Sequence, residues 1–398
     1  MAALSLPRAA TAASLLEHLN DSELLGELDV RKIALQVEPQ TFVSCSAMAV
    51  LCGWGLLKRQ AGTRFTAVGD GDTLRYLSRM DLFGHLGVHF DETFTRHTEA
   101  GRFIPLQLVE AGDDALAASN AICDLVLHQF DNACEFLPAM EWAVYEIIDN
   151  IVIHSETPVP GVVCGQYFPQ KHRLDIAICD MGRGIKASLG ESLTFNSHGE
   201  AISKALERGV TRSRDVGQGN GLAGSLEIIR QNQGGMALRS GDVEFRVQKG
   251  QEKGFGMLPE APGTSVTLRL DVRNSVDLAD TFIGDNAWTY INVECERIAE
   301  EGGIRVLDEC AYTGGREPAK ALRRKVQALL SEMDEPLPID FDGVERAPSS
   351  FLDELLGRLA ESLGEQDFRQ RVRVTNASDQ PLDMANVVIN QRLEAGHG

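Results

Sequence analysis

An α/β architecture in three domains is what this 398-residue sequence predicts. Three observations carry it. Strand-patterned and helix-patterned segments alternate near both ends of the chain, which favours layers of helix on sheet. In the middle, an apolar helix is followed by an alternating strand and two glycine loops. Hydrophobic residues make up 43% of the chain, ample for packed cores. The expected boundaries are 1–104, 105–285 and 286–398, a count that agrees with length alone.

The N-terminal stretch MAALSLPRAATAASLLEHLN reads as a frayed start and then a helix, with no apolar core and cleavage site of a secretion signal. IALQVEPQ at 33–40 reads as a strand and SCSAMAVLCGWGLLKRQ at 44–60 as an apolar helix. TRFTAVG at 63–69 reads as a strand, and DTLRYLSRMDLF at 72–83 as a helix. Near the C-terminus, LPIDFDGV at 337–344 and RQRVRVTNAS at 369–378 read as strands. SSFLDELLGRLAESLG at 349–364 lies between them as an amphipathic helix. Both ends thus follow the order strand, serine, helix, strand, a weak self-similarity.

The central segment WAVYEIIDNIVIHS at 142–155 carries the chemistry. Trp142, Ile147, Ile148, Ile151 and Val152 make it a buried helix. Glu146 and Asn150 are four residues apart and share a face. A carboxylate there can orient or deprotonate a nucleophile, and an amide oxygen one turn on can ligate Mg²⁺, a hard cation. The run RLDIAICD ends in Asp180, where a carboxylate can accept a hydrogen bond from an exocyclic amine. Gly182 and Gly184 in DMGRGI let the backbone approach a ligand. The second loop, GQGNGL at 217–222, runs into the apolar helix LAGSLEIIRQ, and glycine amides at a helix start suit phosphate. Either loop alone is more often an ordinary turn. In series they are the parts needed to hold ATP-Mg²⁺ without a Walker loop.

Glu146…Asn150, Asp180-x-Gly-x-Gly, Gly217-x-Gly-x-Gly and the strand GTSVTLRL at 263–270 resemble the four ordered elements of the GHKL ATPase superfamily. The resemblance covers roughly residues 105–285. It implies a Bergerat-type α+β sandwich binding ATP and Mg²⁺. It assigns Glu146 as general base, Asn150 as the Mg²⁺ ligand and Asp180 as reader of the adenine amine. Gly182, Gly184 and Ile185 would shape the adenine edge, Gly217, Gly219, Gly221 and Leu222 the phosphate-facing lid, and Thr264 would support Asp180. His154 extends the pattern to E-x-x-x-N-x-x-x-H, and with EAISKALERGVTRS at 200–213 it is most similar to anti-sigma serine kinases. For His154 itself the expected role is structural, bonding a carbonyl or complementing the dipole at the helix end.

IDFDGVERAPSSFLDELLG and the upstream GREPAKALRRKVQALL resemble the STAS-like domains found beside such ATPases, and the N-terminal region resembles a more divergent one. In related proteins a serine at the start of this helix is phosphorylated. Ser349 and Ser350 stand there, but Phe351 replaces the usual glycine. The plainer expectation is a helix cap, with Asp353 completing a box with Ser350. Ser44 and Ser46 hold the corresponding place near the N-terminus.

Composition bounds the partners. A net charge of −20 opposes DNA or anionic-membrane binding, so no nucleic acid and no membrane are expected. The basic cluster LRRKVQ at 322–327 is expected to be a solvated helix face. Eight cysteines without a CxxC pair read as core residues rather than zinc ligands. A cytoplasmic ATPase acting as a nucleotide-driven switch is the leading expectation. A protein serine kinase and a non-hydrolysing scaffold are the alternatives, in sigma-factor control, stress signalling or phage defence. The expected partner is a STAS protein, a sigma factor or an effector, and a homodimer is the assembly considered. No H-E-x-x-x-P helix precedes Glu146, which speaks against a histidine kinase.

Overall fold

The computed structural model describes residues 2–26, 30–69, 71–96, 98–128, 136–207, 210, 221–276, 281, 303–310, 313, 316–333 and 335–396. The chain forms mixed α/β structure and divides into two compact units. The first comprises Met1–Leu137 and Ile147–Ser275, and the second Pro138–Glu146 and Val276–Gly398.

In the first unit, β1 (Ala2–Ser5), β3 (Lys32–Val37) and β5 (Arg64–Gly69) form a parallel sheet in the order β1-β3-β5. The short strands β2 (Ala9–Ala10) and β4 (Phe42–Val43) pair beside it. The expected frayed start is therefore a strand: residues 2–5 pair in register with 33–36, and Leu4 is fully buried. Its apolar side chains were too few to signal a strand without the parallel partner. The helix Cys45–Gln60 begins at Ser44, whose hydroxyl accepts the Ala47 amide. Residues 72–86 form two helices, Asp72–Arg79 and Leu82–Leu86, broken where Asp81 takes a φ of 59°.

Five antiparallel strands follow: β6 (Phe103–Val109), β7 (Gly161–Phe168), β8 (Arg173–Cys179), β9 (Gly235–Gln248) and β10 (Gln251–Asp271). Their order is β6-β7-β8-β10-β9. Lys249 and Gly250, both with positive φ, turn β9 into β10, as a tight hairpin requires. The sheet is covered on both faces. Cys164, Ala177 and Cys179 join the core built on the helix Cys45–Gln60, while Gly165 faces Ile104 and Leu125 on the other side. This two-sided cover buries every residue of β8 from Leu174 to Cys179. The shared core runs from Leu4 to Ala261, and the expected boundary at 104/105 falls inside β6.

In the second unit, β11 (Ile304–Arg305), β12 (Leu337–Asp340) and β13 (Val372–Thr375) form a parallel sheet in that order. The helix Arg316–Glu332 leads into β12. Between β12 and β13 the chain forms Ser349–Leu352, a π-turn at Asp353–Gly357, Arg358–Leu363 and Glu365–Arg371. Helical crossovers of this kind are what parallel strands need. The helix Asp379–Gly396 follows β13. Among the described residues no helix is long and apolar enough to cross a membrane.

Candidate functional site

The expected site residues of the first unit gather where β8 ends. Asp180 follows Cys179 directly, and its amide donates to the Thr264 carbonyl at 2.9 Å. Thr264 sits where β10 resumes its register after two irregularities between Met257 and Thr264. Its support of Asp180 thus runs through the backbone. The Gly182 amide donates to Asp180 Oδ1 at 2.8 Å. The Ile185 amide donates to Ser240 Oγ at 2.9 Å, and Ser240 is the β9 partner of Thr264. Asp180, Gly182, Gly184, Ile185 and Thr264 are therefore one connected cluster.

Two glycines are sterically required there. A Cβ on Gly182 would stand 2.0 Å from the Ser155 carbonyl oxygen. A Cβ on Gly263, where φ is 75°, would stand 1.9 Å from the Asp180 carbonyl oxygen. Both positions bring backbone against backbone at the loop that carries Asp180.

Asp180 is 7% exposed. Burial pushes its carboxyl up to about 6, while the Gly182 amide, the Arg239 charge and the Thr264 amide pull the other way. Arg239 is itself buried at the base of the cluster. It donates to Ser265 Oγ at 3.2 Å and to the carbonyls of Ala261 and Pro262 at 3.0 and 3.1 Å. Burial lowers its affinity for its proton, offset by Cys179, Asp180 and Glu244. The guanidinium binds the bulged backbone of β10 and lends positive charge to Asp180. Sequence reading missed it, because one arginine in an alternating strand reads as a solvent-facing residue.

The loop also meets the end of the helix Leu137–His154. Arg183 donates its amide to the Ser155 carbonyl at 2.9 Å and its Nε to the His154 carbonyl at 3.2 Å. Arg183 thus caps that helix. Asn150 lies one turn before His154 and is half-buried. Gly221 opens the helix Gly221–Gln231, where its carbonyl accepts the Ser225 hydroxyl at 2.7 Å, and Leu222 is half-buried. Gly217 and Gly219 lie outside the described residues.

Glu146 belongs to the second unit. Its Oε1 accepts the hydroxyl of Ser349. The neighbouring Ser350 hydroxyl meets the Tyr145 hydroxyl at 3.0 Å. Pro348 is the N-cap of that helix, and no side chain caps it. The expected serine cap is therefore corrected: both hydroxyls are committed to the helix Leu137–His154. Asp353 does not complete a capping box either. It takes two bonds from Arg392, at 2.7 and 2.8 Å, and one from Arg316 at 2.9 Å. These partners hold its carboxyl at about 2 despite burial. Glu354 receives Arg323 and Arg358, each at 2.9 Å. Arg323 of the basic cluster is thus half-buried in an ion pair, while Arg324 and Lys325 are exposed.

The described cysteines, Cys45, Cys52, Cys123, Cys164, Cys179 and Cys310, are all buried thiols. Burial pushes the Cys179 thiol up to about 12, so it is inert as a nucleophile. Cys134 and Cys295 lie outside the described residues.

Residues 319–381 match a protein family, the STAS-like domain of unknown function (DUF4325). The match supports the STAS-like reading of the C-terminal region. A search of curated proteins gave no match.

Proposed function

We propose that the chain is an ATP-Mg²⁺-binding ATPase of the GHKL type, working as a nucleotide-driven regulatory switch. The observation that carries this reading is the Asp180 cluster. A buried carboxylate stands at a strand end, held by backbone amides and approached by two glycines that admit no side chain. A carboxylate in that setting suits an exocyclic amine such as that of adenine, because a charge-assisted hydrogen bond is strongest where water is scarce.

The donor set also fits Mg²⁺. Among the described residues no group of three or more His, Cys, Asp or Glu could hold a metal alone. Mg²⁺ keeps waters and takes phosphate oxygens, so one amide oxygen such as Asn150 suffices on the protein side. When bound, Mg²⁺ would neutralise phosphate charge. Glu146 would align and deprotonate the attacking water, four residues before Asn150 on the same helix. Gly217, Gly219, Gly221 and Leu222 would supply the phosphate-facing lid, a role that rests on their resemblance to the second glycine loop.

A protein serine kinase is the second reading, favoured by the hydrogen bond from Ser349 to Glu146. ATP labelled at the γ-phosphate separates the two readings. Free labelled phosphate, lost by 10²–10⁴-fold in Glu146→Ala, supports the ATPase switch. Label retained on the protein or on an added STAS partner supports the kinase. Binding of ATP with neither product leaves a nucleotide-gated scaffold and removes Glu146 from catalysis.

A further inference from the structure

We propose that the segment beginning at Ser349 is a built-in latch on Glu146, restraining turnover until that segment lets go. This regulatory role rests on the ATPase reading above and adds a brake that the chain carries in itself.

The latch stands on two contacts and one buried side chain within the second unit. Ser349 donates its hydroxyl to Glu146 Oε1. Ser350, on the next position, meets Tyr145, the residue before Glu146, at 3.0 Å. Phe351 behind them is fully buried. Serines at the start of a helix ordinarily cap their own backbone amides. Here Pro348 takes the cap position, and Asp353 is engaged by Arg392 and Arg316. Both serine hydroxyls are thereby directed to one turn of the helix Leu137–His154.

The approach is tight: Ser349 is 3% exposed and Ser350 1%. A carboxylate oxygen that accepts a serine hydroxyl is not positioned to align a water molecule or a partner's hydroxyl. General-base action needs that alignment, at hydrogen-bond distance to the proton removed. Hydrogen bonds to charged groups are among the stronger ones in proteins, so the closed latch slows turnover measurably. Phe351 is consistent with this role. A large side chain packed in the core anchors the segment, where a glycine would leave it loosely held.

Steady-state phosphate release by the 398-residue chain, with ATP-Mg²⁺, tests the latch. Ser349→Ala removes the hydroxyl and is expected to raise kcat about tenfold or more, with KM for ATP unchanged. Ser350→Ala is expected to raise kcat in the same direction, and it serves as the second variant if Ser349→Ala does not fold. Ser349→Thr keeps a hydroxyl and is expected to stay near the wild-type rate. In both alanine variants the amides of 349–357 are expected to exchange hydrogen faster. ATP binding by all chains with equal kcat, or a fall in kcat for both alanine variants, overturns the latch and leaves the ATPase reading standing. Labelled phosphate retained on Ser349 also overturns it, because the residue is then an acceptor. Absence of calorimetric ATP binding in every chain, wild type included, overturns the ATPase reading and the latch with it.

Discussion

At the scale of single residues, Asp180 concentrates the account. Its ordinary carboxyl range lies near 4, and burial lifts it to about 6. The folded chain therefore holds this proton more tightly than the unfolded chain. The corresponding stability is whole below the ordinary Asp range and is lost as pH rises through about 6. The proposed nucleotide recognition would run the opposite way, because the charged form makes the stronger hydrogen bond. ATP affinity is expected to fall by up to about tenfold between pH 7 and pH 5, measured calorimetrically against Asp180→Asn, which lacks this step. A profile shared by both proteins would assign the pH effect to other groups. Gly263→Ala is expected to destabilise the first unit by at least about 1–3 kcal/mol from its positive φ alone, before the clash with the Asp180 carbonyl, as read from denaturant midpoints. An unchanged midpoint would mean that the loop backbone differs from that described. Asp180, Gly182 and Gly184 were legible because their order and spacing survive as letters. Arg239, Ser240 and Arg183 were not, because their roles depend on what the β10 bulge and the helix end bring to them.

At the scale of elements, β3, β5, β8, β12 and β13 could be read from periodicity, as could the helix Leu137–His154, which carries Pro138 in its first turn. The first half of β10 could not. Gly254, Gly256, Pro259, Pro262 and Gly263 argue against a strand, yet β10 runs unbroken from Gln251 to Asp271. The register slips between Met257 and Thr264 are where Pro259 and Pro262 lie, since an irregular ladder spares a missing donor. The π-turn at Asp353–Gly357 was equally hidden, because its arginine partners come from two distant helices. Arg392 is 6% exposed, so Asp353→Ala would leave it buried beside a lost partner. The expected cost to the second unit is about 3–5 kcal/mol, seen as a lower unfolding midpoint. A loss below about 1 kcal/mol would place the pair in water instead. Glu141, on the same helix as Glu146, is 5% exposed, and burial lifts its carboxyl to about 7 while Arg346 opposes the shift. Its contribution to stability is present below the ordinary Glu range and is lost as pH rises through about 7. Wild type is therefore expected to lose up to about 3 kcal/mol relative to Glu141→Gln between pH 5 and pH 8, by chemical unfolding. Parallel curves for the two proteins would show that Glu141 is solvated.

At the scale of the whole molecule, the chain is two compact units. The last part of the second matches a STAS-like family. That part was legible because its strand, helix and strand are local in sequence. The inclusion of residues 1–137 with the five-stranded sheet was not, because it depends on a core shared between the helix Cys45–Gln60 and the distant strands β7 and β8. Turnover, partner and latch all presuppose that the Asp180 cluster binds ATP. A calorimetric titration of the chain with ATP-Mg²⁺ at about pH 7.5, beside folded Asp180→Asn, tests this most directly. Saturable binding by wild type, weakened about ten- to hundredfold in Asp180→Asn, is the expected result. No binding by wild type, or equal affinity in both proteins, would contradict the assignment.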